Sequence, residues 1–423
     1  CIRDRGGTLT IGLSGGGVTV NGANVVTADI EATNGVVHIV DAVLLPDTDV
    51  YETAVLTGAT NTLASAVLAA GLDDDLMGTG PFTVFAPVNS AFGAVDAYTL
   101  NALLEAGNVD ILTRVLGYHV IVGQEIMAAD LTDGAMVPTL EGGMLTVDLS
   151  TPGDPMVNGV SITDTDIVVD NGVIHLVDEV ILPDFNIVET AILTEGFSTL
   201  VAAVTAADLA GTLSDDMADF TVFAPTNAAF EALGGTVDLL LETANLPTLA
   251  DVLTYHVLDG AVASSALSDG LMVPTVEMGE VTFTADGMSP SGFKINGANI
   301  TTVDIQTSNG VIHVIDAVLT ESMDIVQRAQ VTEGTSTLVA AVIAGDLVST
   351  LKSDNGGAGW TVFAPTNAAF EALGMTVDNL LEMGNMGILA DVLTYHVLDG
   401  TVGSSALSDG LMVATVETGD VTF

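Results

Sequence analysis

Thr221-Val222-Phe223-Ala224-Pro225-Thr226-Asn227-Ala228-Ala229-Phe230 is the most informative segment of the sequence. Its first residues predict a short β-strand, because Thr, Val and Phe favour strands and Pro225 interrupts the pattern. Thr226 and Asn227 then offer side-chain oxygens that can cap a helix carrying Ala228 and Phe230. The segment therefore predicts a strand that leads directly into a capped helix.

This segment belongs to an internal repeat. Three motifs recur in the same order: Thr-Val-Phe-Ala-Pro at residues 83–87, 221–225 and 361–365, Tyr-His at 118–119, 255–256 and 395–396, and Asn-Gly-Val-Val/Ile-His at 34–38, 171–175 and 309–313. The histidines that end the last motif are 137 and 138 residues apart. This period is too long for a solenoid repeat and matches an independently folding domain.

The repeat predicts four units, which we number 1 to 4. Their predicted ranges are 1–45, 48–183, 186–320 and 323–423. Unit 1 corresponds only to the last third of a repeat, and unit 4 only to its first two thirds. Two interpretations are open. Either the two part-units of neighbouring chains build one domain together, or the sequence is a window on a longer repeat protein.

Within unit 3, helical patterns come first and strand patterns later. Besides the helix capped by Thr226, apolar spacing predicts helices over 187–193, 199–209, 239–241 and 249–253. Short β-rich runs broken by Gly and Asp predict strands over 220–223, 272–276, 281–284, 293–295, 300–305 and 311–319. Helices followed by strands indicate an α+β domain with a mostly antiparallel sheet.

The composition restricts the partners and the setting of the chain. Its 423 residues include 55 acidic and only 6 basic side chains, a formal net charge of −49. Nucleic-acid binding needs clustered Lys and Arg, so this charge excludes nucleic acid and disfavours an anionic membrane surface. No uncharged apolar run approaches the ~18 residues that a membrane span needs. The single cysteine, Cys1, allows no internal disulfide. A leading cysteine fits a lipid-anchored form, although a simple cut in the sequence is the plainer interpretation.

The three motifs together resemble those of the fasciclin domain family. In unit 3 the resemblance rests on residues 221–230, on Val-Leu-Thr-Tyr-His-Val-Leu at 252–258, and on Asn-Gly-Val-Ile-His-Val-Ile-Asp-Ala-Val-Leu at 309–319. It covers essentially the whole chain. It implies tandem domains, each a wedge of β-sheet flanked by short helices. It also implies an extracellular or cell-surface protein that acts in adhesion or in a matrix, through contact with itself or with other surface or matrix proteins.

The Tyr-His pairs are the candidate adhesive residues. In animal relatives the segment around this pair is implicated in receptor binding, so the resemblance suggests an adhesive surface there. The alternative is that both side chains satisfy buried hydrogen bonds between a helix and the sheet, because their neighbours are apolar. The candidates are Tyr118, His119, Tyr255, His256, Tyr395 and His396.

Metal binding is a weaker hypothesis. His38, His175 and His313 lie in apolar strands and are expected to be core residues, and zinc is disfavoured because no Cys or HExxH pattern accompanies them. Acidic clusters are weak calcium candidates, although solvated loops would look the same. They comprise Asp73, Asp74, Asp75, Asp164, Asp166, Asp215 and Asp216. Calcium is therefore the one cofactor considered. Asn299 begins the glycosylation sequon Asn-Ile-Thr, and its occupancy is left open.

The function predicted from the sequence is structural and adhesive. No GxSxG motif, no Cys nucleophile with a His partner and no phosphate-binding glycine loop is found, so an enzyme is not expected. The sharper hypothesis is a filament subunit that polymerises head to tail by completing a split domain between chains. The alternative is a cell-surface module that binds a ligand or calcium and belongs to a longer tandem array.

Overall fold

The computed structural model describes residues 9–14, 17–20, 23–42, 48–374, 379–380, 382, 385–417 and 420–422. Cys1 lies outside the described residues. The boundary predicted between units 1 and 2 lies outside them up to residue 47, and the description resumes at residue 48. The chain divides into two bodies, residues 1–183 and 184–423, and each is described by itself.

Unit 1 is a four-stranded antiparallel sheet. Its strands follow each other in sequence and in space: β1 (Ile11–Ser14), β2 (Gly17–Val20), β3 (Ala23–Ala32) and β4 (Gly35–Val40). Within the described part of the chain, no helix or further strand pairs with β4 in this sheet.

Unit 2 contains six helices and a seven-stranded sheet. The helices are α1 (Val50–Leu56), α2 (Asn61–Ala69), α3 (Asp73–Leu76), α4 (Asn89–Ala94), α5 (Ala97–Leu104) and α6 (Val109–Tyr118). The strands are β5 (Phe82–Pro87), β6 (Val120–Val122), β7 (Met136–Pro138), β8 (Met144–Asp148), β9 (Met156–Val157), β10 (Val160–Val169) and β11 (Gly172–Val177). The strand order is β6-β5-β11-β10-β9-β8-β7, and only the β5–β11 pair is parallel.

Unit 3, in the second body, repeats this arrangement. Its helices are α7 (Ile187–Leu193), α8 (Ser198–Ala206), α9 (Ala210–Leu213), α10 (Asn227–Glu231), α11 (Thr236–Leu240) and α12 (Leu246–Tyr255). Its strands are β12 (Phe220–Pro225), β13 (Val257–Asp259), β14 (Met272–Pro274), β15 (Glu280–Ala285), β16 (Phe293–Ile295), β17 (Ala298–Thr307) and β18 (Gly310–Ile315). The order β13-β12-β18-β17-β16-β15-β14 again has one parallel pair, β12–β18.

The described residues of unit 4 form helices of the repeat and short strand pairs. The helices are α13 (Ile325–Gln330), α14 (Ser336–Ala344), α15 (Val348–Lys352), α16 (Asn367–Ala372) and α17 (Met386–Thr394). The strands are β19 (Trp360–Val362), β20 (Val397–Asp399), β21 (Met412–Ala414) and β22 (Asp420–Thr422). They form the pairs β19–β20 and β21–β22.

The sheet of unit 3 separates two apolar cores. Ile312 and Val314 of β18 pack against the helices, whereas Ile315 joins Phe223 and Phe283 on the other face. Both faces of β18 are therefore covered, which explains why its sequence is apolar without interruption. This central strand holds the helical layer and the antiparallel strands together.

The predicted α+β architecture is confirmed, and most deviations concern element ends. Thr226 caps α10 as predicted, because its Oγ1 accepts a hydrogen bond from the N–H of Ala229. The strand predicted over 311–319 ends at Ile315, where the side chain of Asp316 binds the backbone N–H of Asn299 instead. The helix predicted over 249–253 begins earlier, at Leu246, since Pro247 is tolerated in the first turn of a helix.

Candidate functional site

In units 2 and 3, the tyrosine of the Tyr-His pair joins the last helix of the unit to its sheet. In unit 3, Tyr255 Oη donates a hydrogen bond to the carbonyl of Glu280 (2.7 Å) and accepts one from Asn296 Nδ2 (2.8 Å). In unit 2, Tyr118 makes the same two bonds with Met144 and Asn158. Both rings are buried, and burial raises the pKa of the Tyr255 hydroxyl. These contacts match the interior role that the sequence left open.

The histidine of the pair joins the last helix to the segment that follows the last strand of the sheet. His256 Nδ1 lies 2.7 Å from the carbonyl of Val252, and its Nε2 accepts the backbone N–H of Leu319 at 2.8 Å. His119 makes equivalent bonds with Val115 and Ile181. One nitrogen must therefore carry the proton while the other accepts, so the ring is neutral. Burial lowers the pKa of both His119 and His256 to about 4.

The third pair, in unit 4, is more accessible. Tyr395 is 42% exposed, whereas Tyr118 and Tyr255 are buried. His396 keeps the Nδ1 contact with the carbonyl of Val392 and is partly exposed. The structure thus places four of the six candidate adhesive side chains in the interior. An adhesive surface at these residues stays a prediction, and only unit 4 offers both side chains of a pair to a partner.

Asn171 and Asn309, the first residues of the last motif, tie the strand to the start of the unit. Asn309 Oδ1 accepts the backbone N–H of Ile187 at 2.9 Å, and its Nδ2 donates to the carbonyl of Leu213 at 2.9 Å. Asn171 bonds Val50 and Leu76 in the same way. Sequence reasoning gave these asparagines no role, although their recurrence before Gly was a usable signal.

The strand histidines are core residues in units 2 and 3, as predicted. His313 Nε2 lies 2.9 Å from the carbonyl of Val262, and its ring stacks on Phe223 with centroids 5.3 Å apart. His175 stacks on Phe85 in the same way. His38 of unit 1 is exposed, which differs from this prediction because nothing among the described residues covers its strand.

The calcium candidates do not converge. Asp73, Asp74 and Asp75 form the first turn of α3, whereas Asp166 Oδ1 caps the N–H of Ala128. The remaining candidates make local backbone or side-chain bonds: Asp164 with Thr165, Asp215 with Met217, and Asp216 with Ser308. Among the residues that the structure describes, no three His, Cys, Asp or Glu side chains are arranged to hold a metal ion.

The glycosylation candidate Asn299 is engaged by a carboxylate. Its Nδ2 donates to Asp316 Oδ2 at 2.6 Å, and its backbone N–H donates to Oδ1 of the same residue. Asn24 and Asp41 form the same two-point contact in unit 1. The pair therefore pins the start of the long strand to the end of the following one in two units.

Unit 4 has an open apolar face where unit 3 is filled. A cavity of about 550 Å³ lies between its helices and β19, whereas the equivalent cavity of unit 3 measures about 30 Å³. The two cavities share corresponding apolar residues; in unit 4 these are Ile325, Val326, Ala329, Leu338, Val339, Val342, Leu351 and Val362. In unit 3 the corresponding space is occupied by Ile312 and Val314 of β18.

Unit 1 shows the reverse situation: its described residues form a sheet, and no helix among them packs on it. Val37 of β4 is 52% exposed, whereas Ile312, its counterpart at the same position of the repeat, is 1% exposed. Val36 and Ile39 are likewise exposed, and their counterparts Val311 and Val314 are buried. The exposed face of unit 1 thus carries apolar side chains of the kind that are buried in the core of unit 3.

A family model described as Fasciclin domain matches residues 3–46, 58–183, 195–321 and 333–423. The chain belongs to the fasciclin family. The predicted unit boundaries stay predictions, although each of the four matched ranges overlaps one predicted unit. With this membership, the resemblance drawn from the three motifs is confirmed, and each unit is a fasciclin domain or part of one.

Known relatives contain the same fasciclin domains. The chain is 34% identical over 396 residues to transforming growth factor-beta-induced protein ig-h3 of Sus scrofa, covering 92% of this chain and 55% of that protein. It is 29% identical over 319 residues to periostin of Homo sapiens, covering 74% and 36%. The chain spans about half the length of the curated ig-h3 relatives it matches.

A solved fasciclin domain pair from the insect cell adhesion molecule fasciclin I also matches. It covers 62% of this chain and 97% of that chain, with 20% identity and a TM-score of 0.31. Membership of the fasciclin family makes this an extracellular or cell-surface protein, as predicted. No helix in the described part of the chain has the length and apolar character of a membrane span.

Proposed function

We propose that this fasciclin protein is a structural and adhesive protein that joins copies of itself by completing a split domain. The sheet of unit 1 of one copy would seat on the open face of unit 4 of another. The observation that carries this proposal is the pair of matching surfaces, an apolar cavity in unit 4 and an exposed apolar strand in unit 1.

The pairing inside unit 3 supplies the template. There, β18 runs parallel to β12, with Val311 opposite Thr221 and Ile312 opposite Val222. The same register between copies would place β4 beside β19, with Val36 opposite Thr361 and Val37 opposite Val362. Each apolar side chain of β4 buried in this way contributes about 1.5–3 kcal/mol.

Polar contacts would fix the register of this pairing. Asn34 is the counterpart of Asn309 and would bind the N–H of Ile325 and the carbonyl of Leu351, as Asn309 binds Ile187 and Leu213. A strand displaced by one residue would lose these bonds and turn its apolar side chains to the wrong face.

A contact of this kind is heterologous, because the two surfaces lie on different units of each copy. Heterologous contacts that do not close into a ring generate open filaments. Strand addition of this type draws on backbone hydrogen bonds for affinity and on side-chain pockets for specificity. The high negative charge opposes the approach of two copies, so the apolar surfaces must overcome it.

The alternative remains a ligand- or calcium-binding adhesion module within a longer tandem array. The exposed Tyr395 of unit 4 favours it, because that side chain could contact a partner. In that case the open face would be covered by further residues of the same polypeptide, and copies of this chain would not associate.

The experiment compares two single substitutions in unit 1 of the full chain. Val37→Glu places a charge where its counterpart Ile312 is fully covered, whereas Val26→Glu alters an equally exposed residue whose counterpart, Thr301, is only half-buried. Association is measured by sedimentation over a concentration series, and filaments are sought by electron microscopy in 1 M NaCl.

We expect the unchanged protein and Val26→Glu to form head-to-tail oligomers and filaments, and Val37→Glu to stay monomeric with the same melting temperature. Monomers in all three samples would contradict domain completion and favour the array module. Equal assembly of Val37→Glu and Val26→Glu would show that association uses another surface.

A further inference from the structure

The contact between units 3 and 4 supplies a second template, formed by two helices. Gln327 Nε2 of α13 donates to Asp251 Oδ2 of α12 at 2.6 Å, and Thr248 Oγ1 of α12 lies 3.3 Å from Gln330 Oε1. Val331, which follows α13, is 1% exposed because it packs into the helix-side core of unit 3. The first helix of one unit thus covers the last helix of the unit before it.

The two surfaces of this contact recur in exposed form elsewhere in the chain. On α17 of unit 4, Ile388 is 56% exposed and stands at the position of Thr248. On α1 of unit 2, Val55 and Leu56 are exposed and stand at the positions of Gln330 and Val331. The polar pair of the template is therefore replaced by an apolar pair, Val55 and Ile388.

We propose that α1 of one copy docks on α17 of a second copy, in the way that α13 packs on α12, and that this contact sets Glu52 against Asp391. This inference rests on the proposed function, because the same head-to-tail junction brings β4 beside β19. Glu52 occupies the position of Gln327, and Asp391 occupies that of Asp251. Where the template has a hydrogen bond between an amide and a carboxylate, the junction between copies would bring two carboxylates together.

A third carboxylate would lie at this junction. In unit 3, burial raises the pKa of Glu277, and the nearby negative charge of Asp251 raises it further. Its counterpart in unit 4 is Glu417, so Glu52 would meet both Asp391 and Glu417. Thr53 stands where α13 carries Arg328, so no cation of α1 offsets these charges.

Unit 2 shows how the same position can be neutralised. There Arg114 takes the place of Asp251 and forms a 2.7 Å ion pair with Glu141, the counterpart of Glu277 and Glu417. Unit 4 has Asp391 instead, so its junction repels at neutral pH and low salt. Protonation or screening of these carboxylates would strengthen head-to-tail association.

The first experiment uses Glu52→Gln in the full chain, with Glu231→Gln as a control. The new amide would restore the hydrogen bond seen between Gln327 and Asp251, and Gln327 shows that a glutamine at this position forms a capping box. Glu231 is an exposed acid on α10 of unit 3, so its replacement removes the same charge away from the junction. Dissociation constants are measured by sedimentation at pH 7 and pH 5 in 0.05 M NaCl.

We expect Glu52→Gln to associate about tenfold more tightly than the unchanged protein and Glu231→Gln at pH 7, and this advantage to narrow at pH 5. The three proteins are compared at each pH because the junction would also bury His38 and His396, and buried histidines such as His256 disfavour the acidic condition in all three alike. Equal pH dependence in all three proteins would overturn the Glu52–Asp391 contact. The proposed function would stand in that case if Val37→Glu still abolishes association. Absence of association under every condition would overturn both proposals.

A second experiment tests the geometry directly. Chains carrying Val55→Cys and chains carrying Ile388→Cys, each with Cys1→Ser, are mixed and treated with a short bismaleimide cross-linker. We expect a cross-link between copies only in the mixture, since in the template Thr248 Oγ1 lies 3.3 Å from Oε1 at the end of the Gln330 side chain. A control mixture pairs Val26→Cys with Ile388→Cys. Equal cross-linking in both mixtures, or none in the first, would contradict the docking of α1 on α17.

Discussion

At the scale of single residues, the Tyr-His pair shows how an interior role can resemble a binding motif. Apolar neighbours on both sides of the pair, such as Val252 and Leu258, already favoured burial, and the structure places Tyr255 and His256 there. One nitrogen of His256 contacts the carbonyl of Val252 in α12, and the other accepts the N–H of Leu319, beyond the end of β18. The pair therefore locks a helix to the end of a strand.

The buried histidines predict an acid-sensitive stability. The pKa of His119 and His256 is about 4 in the folded protein and about 6.5 when unfolded. The unfolded chain thus binds more protons between these values, so the stability contribution is full above pH 6.5 and falls as the pH decreases towards 4. We expect each of the two histidines to lower the free energy of unfolding by about 2 kcal/mol when the pH falls from 7 to 5.

Urea unfolding at pH 7 and pH 5 in 1 M NaCl measures this loss, because the salt suppresses changes in carboxylate repulsion. In the folded protein, the imidazole resonances of His119 and His256 should keep their neutral positions down to pH 5. Titration of both rings near pH 6.5 would contradict the buried, neutral state.

The role of Asn309 could not be predicted from the sequence, and the reason is distance along the chain. Its partners Ile187 and Leu213 lie 122 and 96 residues away. Local patterns specify which residues favour a strand or a cap, but not which distant backbone groups meet. The exposure of Val37 could not be predicted either, because the sequence of β4 has the apolar pattern of a fully buried strand.

At the scale of elements, β18 is the strand on which the domain depends. Its apolar pattern predicted the strand itself, whereas the parallel pairing with β12 required the fold. Gly310 allows this pairing because its φ is +147° and an added Cβ would lie 2.0 Å from the carbonyl oxygen of Phe220. Gly35, at the same position of unit 1, has no atom within 4 Å of such a Cβ.

These two glycines form a matched pair for mutation. We expect Gly310→Ala to destabilise the second body by more than about 3 kcal/mol, because strand and backbone would have to separate. We expect Gly35→Ala to change stability by less than about 0.5 kcal/mol while it prevents association. Urea unfolding and sedimentation of both variants check this. Similar effects of the two substitutions on stability, or unchanged association of Gly35→Ala, would contradict the proposed pairing of β4 with β19.

At the scale of the whole molecule, the sequence repeat made the number of units predictable. The net charge determines the salt conditions in which the units stay folded and copies associate. The period of 137–138 residues and the three motifs predicted the repeated domain, and the order of helical and strand patterns in unit 3 predicted its α+β fold. The junctions between units were not predictable in this way, because Gln327 and Asp251 look like ordinary surface polar residues until the helices that carry them meet.

The net charge of −49 predicts that salt stabilises both the fold and the association of copies. The 55 acidic residues greatly outnumber the 6 basic residues that could offset them, and the Debye length falls from about 10 Å at 0.1 M to about 3 Å at 1 M salt. We expect 1 M NaCl to raise the free energy of unfolding by about 1–3 kcal/mol relative to 0.05 M. Urea unfolding measures this without adding charge, and repetition with a chelator separates screening from calcium binding. A midpoint that is independent of NaCl but falls when the chelator is added would contradict screening and favour a calcium-dependent adhesion module.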